Sequence, residues 1–235
     1  EAKKRIEQLK KVIELHRYLY HVRDTQEISD AALDSLKHEL KTLEDEFPKF
    51  RTADSPTQRV GGEPLKKFKK VRHSSPMLSL EDVFSEEEFD EWILRIEKLL
   101  GGHTAPELFV ESKFDGLAVS LIYRDGVLFC AATRGNGLEG EDVTQNIRTI
   151  ETIPLRLFYH GRKNDSQEQM YMRAQKGDFE VRGEVIISKK NFEHINLLQK
   201  KSGGTVYANP RNLAAGSIRQ LDSEVTQSRR LDFFA

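Results

Sequence analysis

A β-hairpin is predicted for residues 117–133, whose sequence reads LAVSLIYRDGVLFCAAT. Two runs of strand-forming residues, Leu117–Arg124 and Val127–Thr133, flank the dipeptide Asp125-Gly126. Asp-Gly between two such runs favours a two-residue turn, because both central positions of that turn need positive φ angles. Counted outward from the turn, the pairing register puts Leu117 opposite Arg134.

Upstream of this hairpin, Leu108–Lys113 is also predicted to be a strand, with Lys113 where the strand meets a turn. Period-two alternation places Glu111 and Lys113 on one face, and the hairpin register brings Arg134 beside them. A lysine amine held partly unprotonated, with a cation nearby, can attack a phosphoryl group. Gly116 permits a turn that a side chain would obstruct. Since Lys-x-Asp-Gly occurs by chance on the order of once in twenty chains of this size, a surface lysine is the alternative.

The first fifty residues have the spacing of two amphipathic helices, the second of which ends before Pro48. Ser29 or Asp30 is the expected N-cap of the second helix, and the short connection predicts a helical hairpin. Tyr20 and His21 would then lie near Asp30 and Asp34. Acidic residues in a first turn are also favoured by the helix dipole alone, so the spacing by itself does not assign a ligand.

The remainder reads as mixed helix and strand. A turn-rich linker at 55–62 predicts a domain boundary, and Ser85 with Glu88 forms a capping box for an amphipathic helix taken as scaffold. Phe179–Ile187 is predicted to be a strand with Glu180, Arg182 and Glu184 on its polar face. Helices are expected over Asn191–Lys201 and from Asn209-Pro210. This arrangement predicts an α+β fold built on antiparallel sheet, with domains at 1–65 and 66–235.

Composition excludes several classes of protein. The 235 residues are 32% charged and 37% hydrophobic, without an apolar run that could cross a bilayer. A formal net charge of -1 argues against nucleic-acid binding through global charge, although Lys66–Arg72 is either a local contact or a solvated basic run. The single cysteine, Cys130, excludes an internal disulfide and a cysteine-rich zinc site, and its apolar neighbours predict a buried, inert thiol.

Lys113-Phe114-Asp115-Gly116 resembles the signature of covalent nucleotidyltransferases, the superfamily of DNA ligases, RNA ligases and capping enzymes. Within that superfamily the chain resembles bacterial NAD-dependent DNA ligases along nearly its whole length. The segments that carry this resemblance are YLYH (18–21), DSPTQRVG (54–61), PMLSL (76–80), AATRG (131–135), GEDVT (140–144), VRGEV (181–185), NPRN (209–212), AAGS (214–217) and RQLD (219–222). Together they are far more specific than the lysine motif.

The resemblance implies a helical nicotinamide-recognition hairpin followed by a nucleotidyltransferase (adenylation) domain. Lys113 would attack the adenylyl phosphorus of NAD, release nicotinamide mononucleotide (NMN), and carry AMP for transfer to the 5′-phosphate of nicked double-stranded DNA, with Mg²⁺ present. It also implies a monomeric, bacterial cytoplasmic, nucleoid-associated protein without a membrane partner. By motif match, the nucleotide-binding residues are Tyr20, His21, Asp30, Ala31, Ala32, Leu33 and Asp34 for the NMN half, Ser79 and Leu80 for adenosine, Glu111 for adenine, and Arg134 and Glu184 for the ribose. Arg211 and Arg219 correspond to DNA-contacting positions, and no metal ligand is assigned.

The chain departs from the family pattern at several positions. Leu33 stands where the family usually has tyrosine, Asn136 where aspartate is customary, and Phe114 where leucine is customary. The chain also ends before two later motifs whose lysines neutralise phosphate, so it is expected to be an N-terminal, C-terminally incomplete part. Two alternatives stay open, a module that binds NAD or DNA without forming the adduct, and an ATP-dependent ligase or capping enzyme.

Overall fold

The computed structural model describes residues 1–23, 25–59, 65–102, 107–159 and 166–235, apart from the side chains of His21, Val22, Asp30, Ser166 and Gln167. The helices are α1 (Ala2–Arg23), α2 (Asp30–Glu46), α3 (Glu86–Leu99), α4 (Thr144–Arg148), α5 (Ser166–Ala174), α6 (Lys189–Lys201), α7 (Pro210–Ile218) and α8 (Ser223–Ser228). The strands are β1 (Lys70–Arg72), β2 (Leu117–Arg124), β3 (Val127–Thr133), β4 (Glu139–Glu141), β5 (Asp178–Ile186) and β6 (Asp232–Phe234). Mixed helix and antiparallel sheet confirm the predicted α+β class.

Helices α1 and α2 form the predicted hairpin around a small apolar core. Ile6, Leu9, Ile13 and Leu40 are fully buried between them. Ser29 is the N-cap of α2, and its hydroxyl accepts a hydrogen bond from the backbone N–H of Ala32 at 3.2 Å. This cap satisfies one of the N–H groups that have no partner within the helix.

The main sheet has the strand order β3-β2-β5-β6, and every neighbouring pair is antiparallel. The turn at Asp125-Gly126 has the positive φ angles expected of it, 50° and 75°. Strands β2 and β3 have the predicted bounds, but the predicted register is wrong by one residue beyond Tyr123. A β-bulge there leaves Phe129 without a pairing partner, so the N–H of Arg134 donates to the carbonyl of Ala118, at 3.0 Å, instead of facing Leu117.

The two faces of this sheet differ in chemistry. One face packs the side chains of Val119, Leu121 and Val185 into the main core together with α4, α6 and α7. The opposite face carries the row Glu180, Arg182 and Glu184, because alternate residues of a strand point to opposite sides. The predicted alternation of this strand is confirmed, and the strand begins and ends one residue earlier than expected.

The strand predicted upstream of the hairpin is wrong, whereas the helix predicted there is confirmed. Leu108–Lys113 has no regular secondary structure, since none of the described strands pairs with it. Helix α3 has the predicted cap, with Ser85 accepting from the N–H of Glu88 at 3.3 Å, but it buries no side chain. Its apolar stripe is therefore not part of the core in this structure.

The linker after the hairpin is packed rather than extended. Ser55 and Arg59 are buried, and Arg59 donates hydrogen bonds to the carbonyl oxygens of Arg148, Ile150 and Ile153 at 3.2, 2.9 and 2.8 Å. Arg17 of α1 also pairs with Glu151. These contacts dock the helical hairpin on the segment that follows α4. Among the described helices, none is both long and apolar enough to cross a membrane.

Candidate active site

A cleft of about 990 Å³ lies over the polar face of the main sheet. Its walls are formed by segments that are distant in sequence, among them the loop before α3, the loop before β2, the end of β3, strand β5 and helix α7. All eight residues predicted for the adenylyl and DNA side of the site line it, namely Ser79, Leu80, Glu111, Lys113, Arg134, Glu184, Arg211 and Arg219. The structure thus brings this half of the predicted site together.

Lys113 lies in the irregular segment just before β2, and its side chain is exposed to the cleft. The following Phe114 stacks on Phe234 of β6, with ring centroids 4.1 Å apart. Glycine is required at position 116 because of close packing, and not because of the turn predicted from the sequence. A Cβ at this position would lie 2.1 Å from the carbonyl oxygen of Val185, so the backbone approach to β5 excludes any side chain.

Glu184 on β5 is linked directly to the lysine motif. Its Oε1 accepts a hydrogen bond from the backbone N–H of Gly116 at 3.2 Å. Burial raises the pKa of the Glu184 carboxyl, while that hydrogen bond and the positive charges of Arg211 and Lys113 act in the opposite direction. A half-buried carboxylate at this point can accept hydrogen bonds from ligand hydroxyls.

Arg134 follows the last residue of β3 and extends over the cleft. Its Nη1 donates to the hydroxyl of Ser79 at 3.2 Å, which joins the predicted ribose side of the site to the predicted adenosine side. Leu80, next in sequence, is exposed and supplies an apolar surface. Exposed Leu and cationic side chains in one cleft suit a ligand with both an aromatic base and a phosphate.

The two arginines predicted to contact DNA are each paired with a carboxylate. Arg211 on α7 donates to Asp115 of the lysine motif at 3.1 Å. Arg219 holds Glu141 of β4 with two hydrogen bonds of 2.8 and 3.2 Å. Both arginine side chains remain 58% exposed, so a phosphate from solvent has access to them.

The predicted NMN residues lie elsewhere. Tyr20 is exposed near the end of α1, and Ala31, Ala32, Leu33 and Asp34 are in the first turns of α2. Asp34 is mostly exposed and lies 3.4 Å from the ammonium group of Lys37. The side chains of His21 and Asp30 lie outside the described residues. None of the described residues of this hairpin lines the cleft.

Several cleft residues were not singled out from the sequence as site residues. Those with charged side chains are Lys70, Asp82, Glu141 and Arg182. Two features of the sequence include Arg182, the alternation of β5, which places it on the same face as Glu184, and the segment VRGEV (181–185). Lys70 comes from the basic run 66–72, whose Phe68 instead packs against the main core. Cys130 is only half-buried, and burial raises the pKa of its thiol, which agrees with an unreactive cysteine.

Comparison with known proteins shows which family the sequence matches. The family model described as "NAD-dependent DNA ligase adenylation domain" matches residues 65–235, and the one described as "DNA ligase-like, N-terminal NAD+-binding domain" matches residues 1–61. A DNA ligase of Acetivibrio thermocellus is 50% identical over 234 residues, which are 100% of this chain and 33% of that protein. A DNA ligase of Coprothermobacter proteolyticus is 48% identical over 233 residues, 99% of this chain and 33% of that protein.

The chain thus spans about a third of the length of these curated relatives. Both family models together cover nearly all of it, and the cleft that holds Lys113 lies within the part matched by the adenylation model. The chain therefore belongs to the NAD-dependent DNA ligase family and corresponds to its N-terminal NAD⁺-binding and adenylation part.

Proposed function

We propose that this chain carries out the adenylation half-reaction of an NAD-dependent DNA ligase, with Lys113 as the nucleophile. The observation that supports it most is the convergence of Lys113, Arg134 and Glu184 in one cleft from three separate segments. The neutral Lys113 amine forms a bond to the adenylyl phosphorus of NAD and releases one of its two protons to solvent. The bond from that phosphorus to the bridging oxygen breaks, and NMN leaves.

The surrounding residues have distinct roles in this proposal. Arg134 stabilises negative charge on the phosphate as it is attacked, because a preorganised cation needs no rearrangement during the reaction. Ser79 and Leu80 contact adenosine, Glu111 binds the adenine amino group, and Glu184 accepts hydrogen bonds from ribose. Among the described residues no three carboxylate, histidine or cysteine side chains converge as a metal site. A Mg²⁺ requirement stays a prediction of this assignment.

The NMN half of NAD is assigned to Tyr20, His21, Asp30 and Asp34, with Ala31, Ala32 and Leu33 beside them. This divides the chain into a recognition segment at 1–65 and a chemical segment at 66–235. None of the described hairpin residues lines the cleft in this structure, and we propose that the two segments change their relative placement when NAD contacts both.

In the whole protein, AMP on Lys113 passes to the 5′-phosphate of a nick, and the adjacent 3′-hydroxyl then seals it in DNA replication and repair. Arg211 and Arg219 contribute phosphate contacts to that complex, whose strength falls as salt concentration rises. A monomeric state and a bacterial cytoplasmic location are further predictions of this assignment.

Intact mass measurement tests the proposal. The chain is incubated with NAD and Mg²⁺, and we expect a mass gain of one AMP that Lys113→Ala abolishes. Lys190→Ala, at an exposed lysine on α6 outside the cleft, should keep the gain. Failure to gain mass while NAD still binds would instead support a binding module, and an adduct formed from ATP but not NAD would support an ATP-dependent enzyme.

The hairpin assignment is tested separately in the whole ligase. Asp34→Ala is expected to weaken adduct formation from NAD and to leave reverse loading from an AMP-bearing nick nearly unchanged, since that substrate lacks NMN. Equal loss of both reactions would contradict the role assigned to the hairpin.

A further inference from the structure

Residues 73–80, which we name the strap, cross the polar face of the sheet without regular secondary structure. The strap carries Ser79 and Leu80 at its end. Two of its backbone N–H groups are bonded to the turn before β4, that of His73 to the carbonyl of Leu138 and that of Met77 to the carbonyl of Gly137, both at 2.9 Å. A segment of this kind has no hydrogen-bond ladder of its own, so its position depends on such outside contacts.

Arg182 supplies three further contacts to the strap. Its Nη2 donates to the carbonyl oxygen of Ser75 at 2.7 Å and to the hydroxyl of Ser75 at 2.8 Å, and its Nη1 donates to the carbonyl of Pro76 at 2.9 Å. These acceptors directly precede Met77, whose N–H is one of the strap's own anchors. Arg182 therefore holds the strap from the sheet side, while the turn before β4 holds it from the other.

Glu180 fixes the guanidinium in this orientation. Its Oε1 accepts from Nε of Arg182 at 2.9 Å and from the hydroxyl of Ser120 at 2.6 Å, and its Oε2 accepts from the hydroxyl of Ser74 at 2.8 Å. Burial works to raise the pKa of Glu180, but these hydrogen bonds outweigh it and keep the pKa below its ordinary value. Glu180 is thus an ionised carboxylate that accepts hydrogen bonds from Ser120 on the neighbouring strand, from Arg182 and from Ser74 of the strap.

The donors of Arg182 are nearly all committed. A guanidinium has five N–H groups, and the contacts to Glu180, Ser75 and Pro76 use four of them. Although Arg182 lines the cleft, it has little capacity left to bind a phosphate. This distinguishes it from Arg134, whose Nη1 reaches across the cleft to Ser79.

We propose that Arg182, held by Glu180, is a positioning residue that sets the strap, and with it Ser79 and Leu80, at the place where adenosine binds. This inference rests on the proposed function, in that it takes the cleft to be the nucleotide site. The placement of the strap itself is a separate matter that can be measured without any ligand.

Hydrogen exchange of the full chain without ligand tests the placement. Arg182→Ala should speed exchange of the Met77 amide at least about tenfold, the effect of losing even one of its three charged hydrogen bonds to the strap, and Arg182→Lys should restore part of the protection. Arg124→Ala is the matched control, because Arg124 makes a bidentate pair with Asp178 at the other end of the sheet. Unchanged exchange in Arg182→Ala would overturn the proposal. If that variant does not fold, Glu180→Gln carries the same expectation.

The rate of adduct formation at varied NAD concentration tests the consequence. Arg182→Ala is expected to raise the KM for NAD about tenfold with little change in the maximal rate, since it moves a binding surface and not the reacting atoms. A fall in maximal rate at unchanged KM would make Arg182 a catalytic residue and overturn the proposal. If the unaltered chain forms no adduct, the proposed function fails, and AMP affinity measured by calorimetry replaces KM.

Discussion

Arginine side chains occupy two contrasting regions, the docking contact between the helical hairpin with its linker and the segment that follows α4, and the cleft over the main sheet. In the docking contact, Arg59 is only 4% exposed and donates to three backbone carbonyls, and burial followed by the charge of Arg17 lowers its pKa to about 10. In the cleft, Arg211 and Arg219 are more than half exposed and pair with carboxylates. The first kind of arginine is committed to the fold, whereas the second can exchange its partner for a ligand.

The comparison predicts that Arg59→Ala has the largest effect on stability. Truncation leaves three carbonyl acceptors without their donor, and we expect a loss of about 3 kcal/mol in the free energy of unfolding. Urea titration measures it, with Arg124→Ala as an exposed-arginine control that should shift the midpoint far less, because its pair with Asp178 is exposed to solvent. A loss for Arg59→Ala no greater than that of the control would remove the distinction between the two regions.

Arg134→Ala should affect activity and not stability, the reverse of what is expected for Arg59→Ala. The stability of the chain is expected to stay nearly unchanged, because this side chain is exposed, whereas the rate of adduct formation should fall about a hundredfold. Single-turnover mass measurement with NAD gives the rate, and urea titration gives the stability. A variant that unfolds readily but still forms the adduct at the normal rate would place Arg134 with Arg59 instead.

Gly116→Ala sharpens the comparison at the edge of the cleft. The added methyl group meets the Val185 carbonyl, and we expect about 2 kcal/mol of destabilisation from the forced backbone shift. Gly216→Ala is the matched substitution, since a Cβ there meets nothing within 4 Å. It lies inside α7 and should be neutral or stabilising by about 0.5 to 1 kcal/mol. Similar losses in both variants would argue against close approach as the reason for Gly116.

The smallest expected effect is a pH dependence at the docking contact. Asp54 is partly buried, which works to raise its pKa, but hydrogen bonds from Thr52 and Arg156 lower it below the ordinary 3.8. The folded pKa then lies below the unfolded one, so the ionised carboxyl stabilises the fold above pH 3.8 and loses this effect as pH falls further.

Thermal unfolding of Asp54→Asn against the unaltered chain checks this sign. The difference in Tm should be largest near neutral pH and should shrink as the pH falls below 3.8. A difference that grows on acidification would mean that the pKa of Asp54 is raised rather than lowered. Arg156→Ala should reproduce most of the neutral-pH difference, since it removes the partner at 2.5 Å.

Local signals in the sequence predicted much of the fold. The turn at Asp125-Gly126 correctly predicted the bounds of β2 and β3. Ser29, Ser85 and Asn209 each cap a helix that the sequence predicted. Each of these features depends on a few neighbouring residues, which is why it can be read without the rest of the chain. The bulge at Phe129 was not predicted, because a two-residue turn implies an unbroken register. The guanidinium of Arg124 lies 3.8 Å from the centroid of the Phe129 ring.

The sequence by itself determined the residue types of the site and their family positions, because motifs such as Lys-Phe-Asp-Gly are contiguous. Only the tertiary structure decided which of them share a cleft. In the structure, Ser79 contacts Arg134 and the described hairpin residues lie outside the cleft. Some arginines are buried, whereas others are accessible to a ligand. Packing between segments distant in the chain controls burial and partner choice, and no local pattern contains that information.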